Sequence, residues 1–154
     1  MREQPAMESV SKEEMLEVTA EFLSLLAAAK SIVRDLDRVS GKPEYEEVAT
    51  SMAPEARVLA DMIANTHRAW VRRGAFMNYF QVPSGAVHTT VACRTLSERT
   101  VLRPLPHLTG EPMEYVISEG YRMCSHCLKR PAEVRVAKAA VFCARWIRRL
   151  RNIP

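Results

Sequence analysis

Apolar residues near the start of the chain recur every three or four positions, which places their side chains on one face of an α-helix. These positions are Met15, Val18, Phe22, Leu25, Leu26, Ala29, Val33 and Leu36. Ser11 and Glu14 have the spacing of a capping box, and Gly41 and Pro43 follow the last apolar position. The pattern therefore predicts a long amphipathic helix over residues 11–39.

A second helical pattern begins after Pro43 and ends near Gly74, with apolar positions at Tyr45, Val48, Met52, Ala56, Leu59, Ile63 and Trp70. Pro54 lies inside it, so either the helix is kinked there or a new helix starts near Ala53. The short connection between two long helices favours an antiparallel hairpin, the first predicted domain, over residues 1–74. Such a hairpin buries too little alone and must pack on the rest of the chain or on a second copy in a homodimer.

The pattern changes in residues 75–154, the second predicted domain. Strand-forming residues between 76 and 91 are interrupted by the turn sequence at 83–85, which predicts short β-structure. Residues 94–123 are rich in Pro and Gly and thin in apolar residues, with one further strand expected over 113–118. From Pro131 a last helix is expected to run to about Leu150.

The composition is that of a globular protein, with 47% hydrophobic and 26% charged residues among 154. The net charge of +4 hides a division between the two parts of the chain. Residues 1–66 hold 7 Lys and Arg against 13 Asp and Glu, whereas residues 67–154 hold 15 against 5. The basic part should attract phosphate or other anionic groups; alternatively, the two parts attract each other.

The amino terminus has no apolar run long enough for a signal peptide or a membrane span, so a cytoplasmic location is expected. Four cysteines in a cytoplasmic chain favour free thiols or metal ligands over disulfides.

The most specific chemical signal is a pair of short cysteine motifs. Cys124 and Cys127 form C-x2-C, whose two thiolates can bind one ion from a single turn, and His88 and Cys93 form H-x4-C upstream. Three sulfurs and one imidazole are a normal tetrahedral zinc set, so these four residues are the predicted ligands of a zinc ion. A four-ligand set leaves no open position, which favours a structural zinc that stabilises a segment poor in apolar area. Unliganded or redox-active thiols are the alternative.

The segment 87–128 resembles a motif of small zinc-site proteins from actinobacteria and their phages, in which VHxxxxC precedes MCxxCL. Here the two parts read VHTTVAC, followed by Arg94, and MCSHCL. The resemblance implies a zinc site, without any particular activity, and an actinobacterial or phage origin. Because the second cysteine pair leads into a helix, the arrangement also resembles a treble-clef zinc module, although H-x4-C replaces that family's usual C-x2-C knuckle. The predicted fold class is therefore mainly α, with an N-terminal helical hairpin, a small zinc-stabilised β and loop module that is treble-clef-like, and a basic C-terminal helix.

Two other histidines compete for the fourth ligand position. His126 lies between the two cysteines and His107 lies in the loop segment. We favour His88 because residues between the ends of a C-x2-C turn point away from the ion, but His126 stays an alternative. Cys143 has no neighbouring ligand in the sequence and is predicted to be a buried core residue.

The last helix is strongly basic, with eight Lys and Arg and one acid over residues 129–151. A helical wheel places its apolar face at Val136, Ala140, Cys143, Ile147 and Leu150, with two aromatic residues on the basic side. Aromatic residues among Lys and Arg suit stacking on bases and contact with phosphates, or an acidic protein partner. The predicted contact residues are Arg135, Lys138, Phe142, Arg145, Trp146 and Arg149. Alternatively, the aromatic residues pack on the front helices, or the helix lies on an anionic membrane surface.

The sequence holds no Gly-rich phosphate loop, no H-E-x-x-H and no G-x-S-x-G motif, so we expect a protein that is not an enzyme. The favoured hypothesis is a regulatory or adaptor protein that binds nucleic acid through its basic C-terminal half, acting in the host cytoplasm if phage-encoded. The alternative is a homo-oligomeric assembly, such as a virion component, or a host-protein-binding module. In that case the front hairpin is the contact surface and the basic helix meets an acidic partner.

Overall fold

The computed structural model describes residues 9–154 and is mainly helical with one small sheet, as the sequence predicts. Two long helices come first, α1 (Lys12–Val39) and α2 (Glu46–Arg72), joined through a short 3-10 turn at Pro43–Tyr45. The middle of the chain holds strands β1 (Phe80–Gln81), β2 (Val87–His88) and β3 (Arg103–Pro104), followed by the short helices α3 (Met113–Ser118) and α4 (Ser125–Leu128). Helix α5 (Ala132–Arg151) ends the fold.

The ends of the two long helices lie close to where the sequence places them. The Ser11 hydroxyl accepts a hydrogen bond from the Glu14 N–H at 3.2 Å, and the Glu14 carboxylate accepts one from the Ser11 N–H at 3.1 Å, which completes the capping box. Helix α2 is one continuous element with Pro54 inside it, so the alternative of a new helix near Ala53 is wrong. Gly74 follows α2 at φ +83°, a conformation that favours glycine.

The main hydrophobic core is formed by three helices, because α5 packs against the α1–α2 hairpin. Its fully buried members include Ala29 from α1, Ala56 and Ala60 from α2, and Leu150 from α5, each with no exposed surface. Small residues on α1 and α2 let the helices approach closely, while Trp146 of α5 fills the space beside them. The hairpin thus buries its apolar face on the C-terminal helix of the same chain.

A second, smaller hydrophobic cluster lies under the sheet. Strand β1 pairs antiparallel with both β2 and β3, so that Phe80 lies opposite His88 on one side and Pro104 on the other. The cluster consists of Tyr79, Val87, Leu105, Leu108 and Val116. The Tyr79 hydroxyl donates to the backbone carbonyl of Glu111 at 2.6 Å. Residues 94–123, which contain few apolar residues, therefore still contribute Leu105, Leu108 and Val116 to a buried cluster.

The strand expected over 113–118 is wrong, because these residues form helix α3. Pro112 precedes the helix in an extended conformation, and Gly120 follows it at φ +91°. Val116 is fully buried, whereas its neighbours Tyr115 and Ile117 are 44% and 46% exposed. Because a single anchor in the small cluster decides the conformation, tertiary packing overrides the β-propensity of these residues.

Contacts from Lys12, Met15 and Thr19 join α1 to the loops between α2 and α5. The Lys12 ammonium donates to the His107 carbonyl at 2.7 Å, and the side chains of Thr19 and Asn78 lie within hydrogen-bond distance at 2.8 Å. Gly110 approaches Met15 so closely that an added Cβ would lie 2.7 Å from its sulfur. The division into domains at residue 74 stays a prediction. Across residues 9–154, the structure contains no helix with the length and apolar character needed to cross a bilayer.

Replacement of Leu150 by alanine tests whether α5 is part of the main core. Leu150 has no exposed surface, so Leu150→Ala should lower the free energy of unfolding by about 2–5 kcal/mol through lost burial and a residual cavity. The matched control is Val141→Ala in the same helix, because Val141 is 61% exposed and should change stability by no more than ~0.5 kcal/mol. Urea unfolding measures both variants, and equal losses would contradict this packing.

Candidate metal centre and basic groove

The four predicted metal ligands come from two stretches of chain that the backbone holds side by side. His88 ends β2, whereas Cys124 stands directly before α4 and Cys127 lies inside it. The Val87 N–H donates to the Arg122 carbonyl and the Cys124 N–H donates to the Val87 carbonyl, each at 2.8 Å. This ladder fixes β2 beside the C-x2-C turn and so brings the two ligand pairs together.

The geometry of the four side chains suits a tetrahedral ion. Their ligand atoms all lie within 4.8 Å of one another. The sulfurs of Cys93 and Cys124 are 4.0 Å apart, and the sulfur of Cys127 is 3.6 Å from Nδ1 of His88. Metal–sulfur bonds of about 2.3 Å and metal–nitrogen bonds of about 2.0 Å at tetrahedral angles give edges of roughly 3.5–3.8 Å. These residues are therefore positioned to hold a metal ion.

Burial sets the protonation of the metal-free ligands. Burial lowers the pKa of His88, which favours the neutral imidazole that binds metals. Burial also raises the pKa of the Cys127 thiol to about 11, although the backbone N–H of Thr89 opposes this. Burial raises the pKa of Cys124 too, but hydrogen bonds from the backbone N–H groups of Cys127 and His126 outweigh it, and the pKa lies below its ordinary value. Metal binding at this site must therefore displace protons from thiols.

A threonine that the sequence analysis did not single out lies beside the cluster. The Thr95 hydroxyl is 3.1 Å from the sulfur of Cys93 and 4.0 Å from that of Cys124. A hydroxyl that donates to a metal-bound thiolate stabilises its negative charge and fixes its orientation. Its position two residues after Cys93 is the one signal in the sequence that could have indicated this role.

The structure separates His88 from the competing histidines. His107 lies outside the cluster, and its Nε2 is 3.0 Å from the Tyr121 hydroxyl near the surface. His126 belongs to α4 but is not among the residues whose ligand atoms converge. Cys143 is 3% exposed in the main core, where burial raises the pKa of its thiol to about 12. It is the buried core residue that the sequence predicts.

The prediction that Trp146 projects on the basic side of α5 is wrong. Trp146 is 3% exposed and packs in the main core, whereas Ala140, expected on the apolar face, is exposed. The face of α5 that packs on the hairpin includes Phe142 and Trp146 instead of Ala140, because burial of these large side chains is more favourable. Trp146 is therefore not available for stacking on a nucleic-acid base, and the alternative of packing on the front helices is correct for this residue.

Two residues that were predicted to contact nucleic acid or a partner, Arg149 and Arg135, are not part of an open basic surface. Arg149 pairs with Glu98 at 2.7 Å and Asp37 at 3.8 Å, and its guanidinium lies over the Trp146 ring at 5.3 Å from the ring centre. Arg135 is half-buried on the inner side of α5. Arg149 thus forms ion pairs within the chain. Part of the positive charge of the C-terminal part therefore does interact with the acidic N-terminal helices.

The remaining predicted residues, Lys138, Phe142 and Arg145, line one surface groove of about 670 Å³ between α5 and the metal cluster, and the buried Trp146 forms part of its wall. Lys30 from α1 and Arg94, next to the ligand Cys93, line the same groove. We call this surface the basic groove; its charged side chains are Lys30, Arg94, Glu98, Lys138 and Arg145. The sequence did not reveal Lys30 and Arg94 as part of it because they come from distant segments.

Removal of the metal-binding capacity should destabilise the protein. We expect the purified chain to contain about one metal ion, and Cys124→Ser to abolish it. If the metal contributes about 4 kcal/mol, as at a thousandfold excess over its dissociation constant, a chelator should lower Tm by about 10 °C. Elemental analysis and thermal melts measure both effects. Cys143→Ala is the control that should keep its metal, and a metal-free protein with an unchanged melt in chelator would contradict the site.

The role of the Thr95 hydroxyl can be tested with a substitution that leaves all four predicted metal ligands in place. Thr95→Val removes the hydroxyl at nearly constant volume and should weaken metal affinity roughly 10-fold or more, as loss of a hydrogen bond to a ligand commonly does. Thr100→Val, a nearby threonine outside the cluster, is the control. Competition with a chromophoric chelator gives both affinities, and equal values would show that the hydroxyl has no such role.

Comparisons of the chain with models of protein families, with curated proteins and with solved structures found no match. The metal centre and the basic groove are therefore the two features of the chain that indicate a function.

Proposed function

We propose that this protein is a non-enzymatic, zinc-stabilised regulatory or adaptor protein that binds nucleic acid along the basic groove. The observation that carries the proposal is the convergence of Lys30, Arg94, Lys138 and Arg145 on one groove that has a single acidic side chain, Glu98. Cationic side chains from three segments of the chain suit successive phosphates of a nucleic-acid backbone.

Zinc is the metal that best suits the ligand set. Three thiolates and one imidazole are soft to borderline ligands, which favour zinc over magnesium, calcium or manganese. Four protein ligands leave no coordination position for a substrate or an activated water, so we assign the ion a structural role. The role of the metal is then to stabilise the segment around β2 and α4.

The metal centre and the groove are coupled through the chain itself. Cys93 lines the groove as well as the metal cluster, and Arg94 follows it directly. An ion bound by Cys93 would fix the backbone from which Arg94 extends. Loss of the metal should therefore weaken nucleic-acid binding as well as stability.

The apolar part of the groove supports a backbone-directed contact. Val134 and Val141 are 40% and 61% exposed along α5, and the partly buried Phe142 also lines the groove. Aliphatic surface of this kind can contact sugars, whereas no exposed Trp is present here to stack on bases, because Trp146 is buried. We infer binding with little sequence preference, dominated by phosphate contacts.

The test measures binding of a fluorescent oligonucleotide, single-stranded or duplex, as a function of salt. Lys138→Ala combined with Arg145→Ala should weaken binding and lower the slope of log affinity against log salt by about 0.9 per lost phosphate contact for duplex DNA. The control pair is Arg57→Ala with Arg72→Ala, two exposed arginines of α2 that do not line the groove. The proposal is wrong if both pairs act alike.

A polyglutamate peptide in the same assay separates the proposal from an acidic protein partner. If the peptide binds and the oligonucleotide does not, the basic groove is a protein-docking surface and the alternative hypothesis holds. The homo-oligomeric alternative predicts instead a concentration-dependent mass that Val58→Asp changes, because Val58 of α2 is 59% exposed and lies outside the core of the monomer. Analytical ultracentrifugation of the wild-type protein measures it.

A further inference from the structure

A cavity of about 70 Å³ lies where α1, α2 and α5 meet the loops on both sides of the small sheet. Its walls are mostly apolar and aromatic, with Phe22 from α1, Trp70 from α2 and Phe142 from α5. The Trp70 indole donates to the Phe76 carbonyl at 3.0 Å, which holds the ring in the wall of the cavity. The cavity is therefore bounded by side chains whose positions the core fixes.

Arg135 is the single Lys, Arg, Asp or Glu among the described residues that line this cavity. One guanidinium nitrogen, Nη1, is buried and has no hydrogen-bond partner in residues 9–154. Burial lowers the pKa of Arg135, and the nearby Tyr79 hydroxyl opposes this shift. A buried guanidinium nitrogen without a hydrogen-bond partner is costly, and an anion bound in the cavity would offset that cost.

Several other polar side chains of the wall are paired within the protein. The Thr19 hydroxyl lies 2.8 Å from the Asn78 side-chain oxygen, and the Thr89 hydroxyl contacts the Cys127 thiol, whose pKa it lowers. Buried donors and acceptors are nearly always paired, so the unpaired guanidinium nitrogen of Arg135 points to a polar ligand group at this cavity. Most of the remaining wall is apolar.

Size and charge restrict the ligand to a small class. The volume of about 70 Å³ is roughly half that of an engineered apolar cavity of ~150 Å³ that takes benzene. One guanidinium can neutralise one negative charge and matches a carboxylate through two parallel hydrogen bonds. The apolar walls disfavour a phosphate dianion, which would lose its hydration without enough compensation.

We propose that this cavity binds a short-chain monocarboxylate, with its carboxylate on Arg135 and its hydrocarbon tail against Phe22, Trp70 and Phe142. This cavity differs from the basic groove, although Val91 and Phe142 line both, and the proposal does not depend on nucleic-acid binding. Because the cavity is bounded by all three long helices, an occupant would also stabilise the main core.

The test titrates acetate, propionate and butyrate into the full-length, metal-loaded protein and follows the Trp70 indole N–H signal by NMR. That signal is assigned with Trp70→Phe. At least one carboxylate should shift it saturably and raise Tm, whereas butyramide, which has the same shape without the charge, should do neither. Equal effects of butyrate and butyramide, or no saturable shift with any of the three acids, would overturn the proposal.

Replacement of Arg135 provides a second test, which measures the affinity for the carboxylate. Arg135→Met keeps most of the side-chain volume and should weaken carboxylate binding at least 10-fold, while Arg148→Met, an exposed arginine of the same helix, should leave it unchanged. Retained binding in Arg135→Met would assign the ligand to another site and refute the proposal. If Arg135→Met does not fold, the comparison of butyrate with butyramide on the wild-type protein decides alone.

Discussion

The convergence of His88, Cys93, Cys124 and Cys127 is the constraint on which the middle of this fold depends. Each of the three strands has two residues, and α3 and α4 have six and four, so no element there can form by itself. The small cluster that contains Tyr79 and Val116 supplies some burial, but it has only five buried residues in the part of the chain that the structure describes. A metal held by these four side chains from two distant stretches would add its free energy of binding directly to folding.

The three-helix core has a different physical basis. Helices α1, α2 and α5 bury a continuous apolar surface in which alanines allow close approach and Trp146 fills the remaining volume. The metal segment, residues 73–131, lies between α2 and α5 in the chain, so its path must return the chain to the hairpin where α5 begins. The two parts are therefore coupled: a metal bound by the four side chains would fix the geometry of the connection, and the core fixes its ends.

Much of the fold could be predicted because its signals are local. The capping box at Ser11 and the glycine after α2 specify helix ends through neighbouring backbone groups, and C-x2-C places two sulfurs within one turn. The predictions were wrong where contacts between residues that are distant in the sequence determine the local conformation. Residues 113–118 are strand formers that become helical because Val116 is anchored in the small cluster, and the face of α5 is set by the hairpin that receives Trp146. Thr95 lies near the sulfurs through folding of the loop, which no spacing rule describes.

The basic charge of the C-terminal part illustrates why composition alone overestimates a binding surface. Arg149 and Arg151 form ion pairs with acidic residues of the helical hairpin and of the metal segment, so their charge is partly used within the chain. Arg135 turns inward to a cavity with apolar walls. The groove instead gains Lys30 from the otherwise acidic front and Arg94 from the metal segment. The division of charge along the sequence is thus not the division of charge on the surface, and a phosphate backbone would meet a site assembled from both.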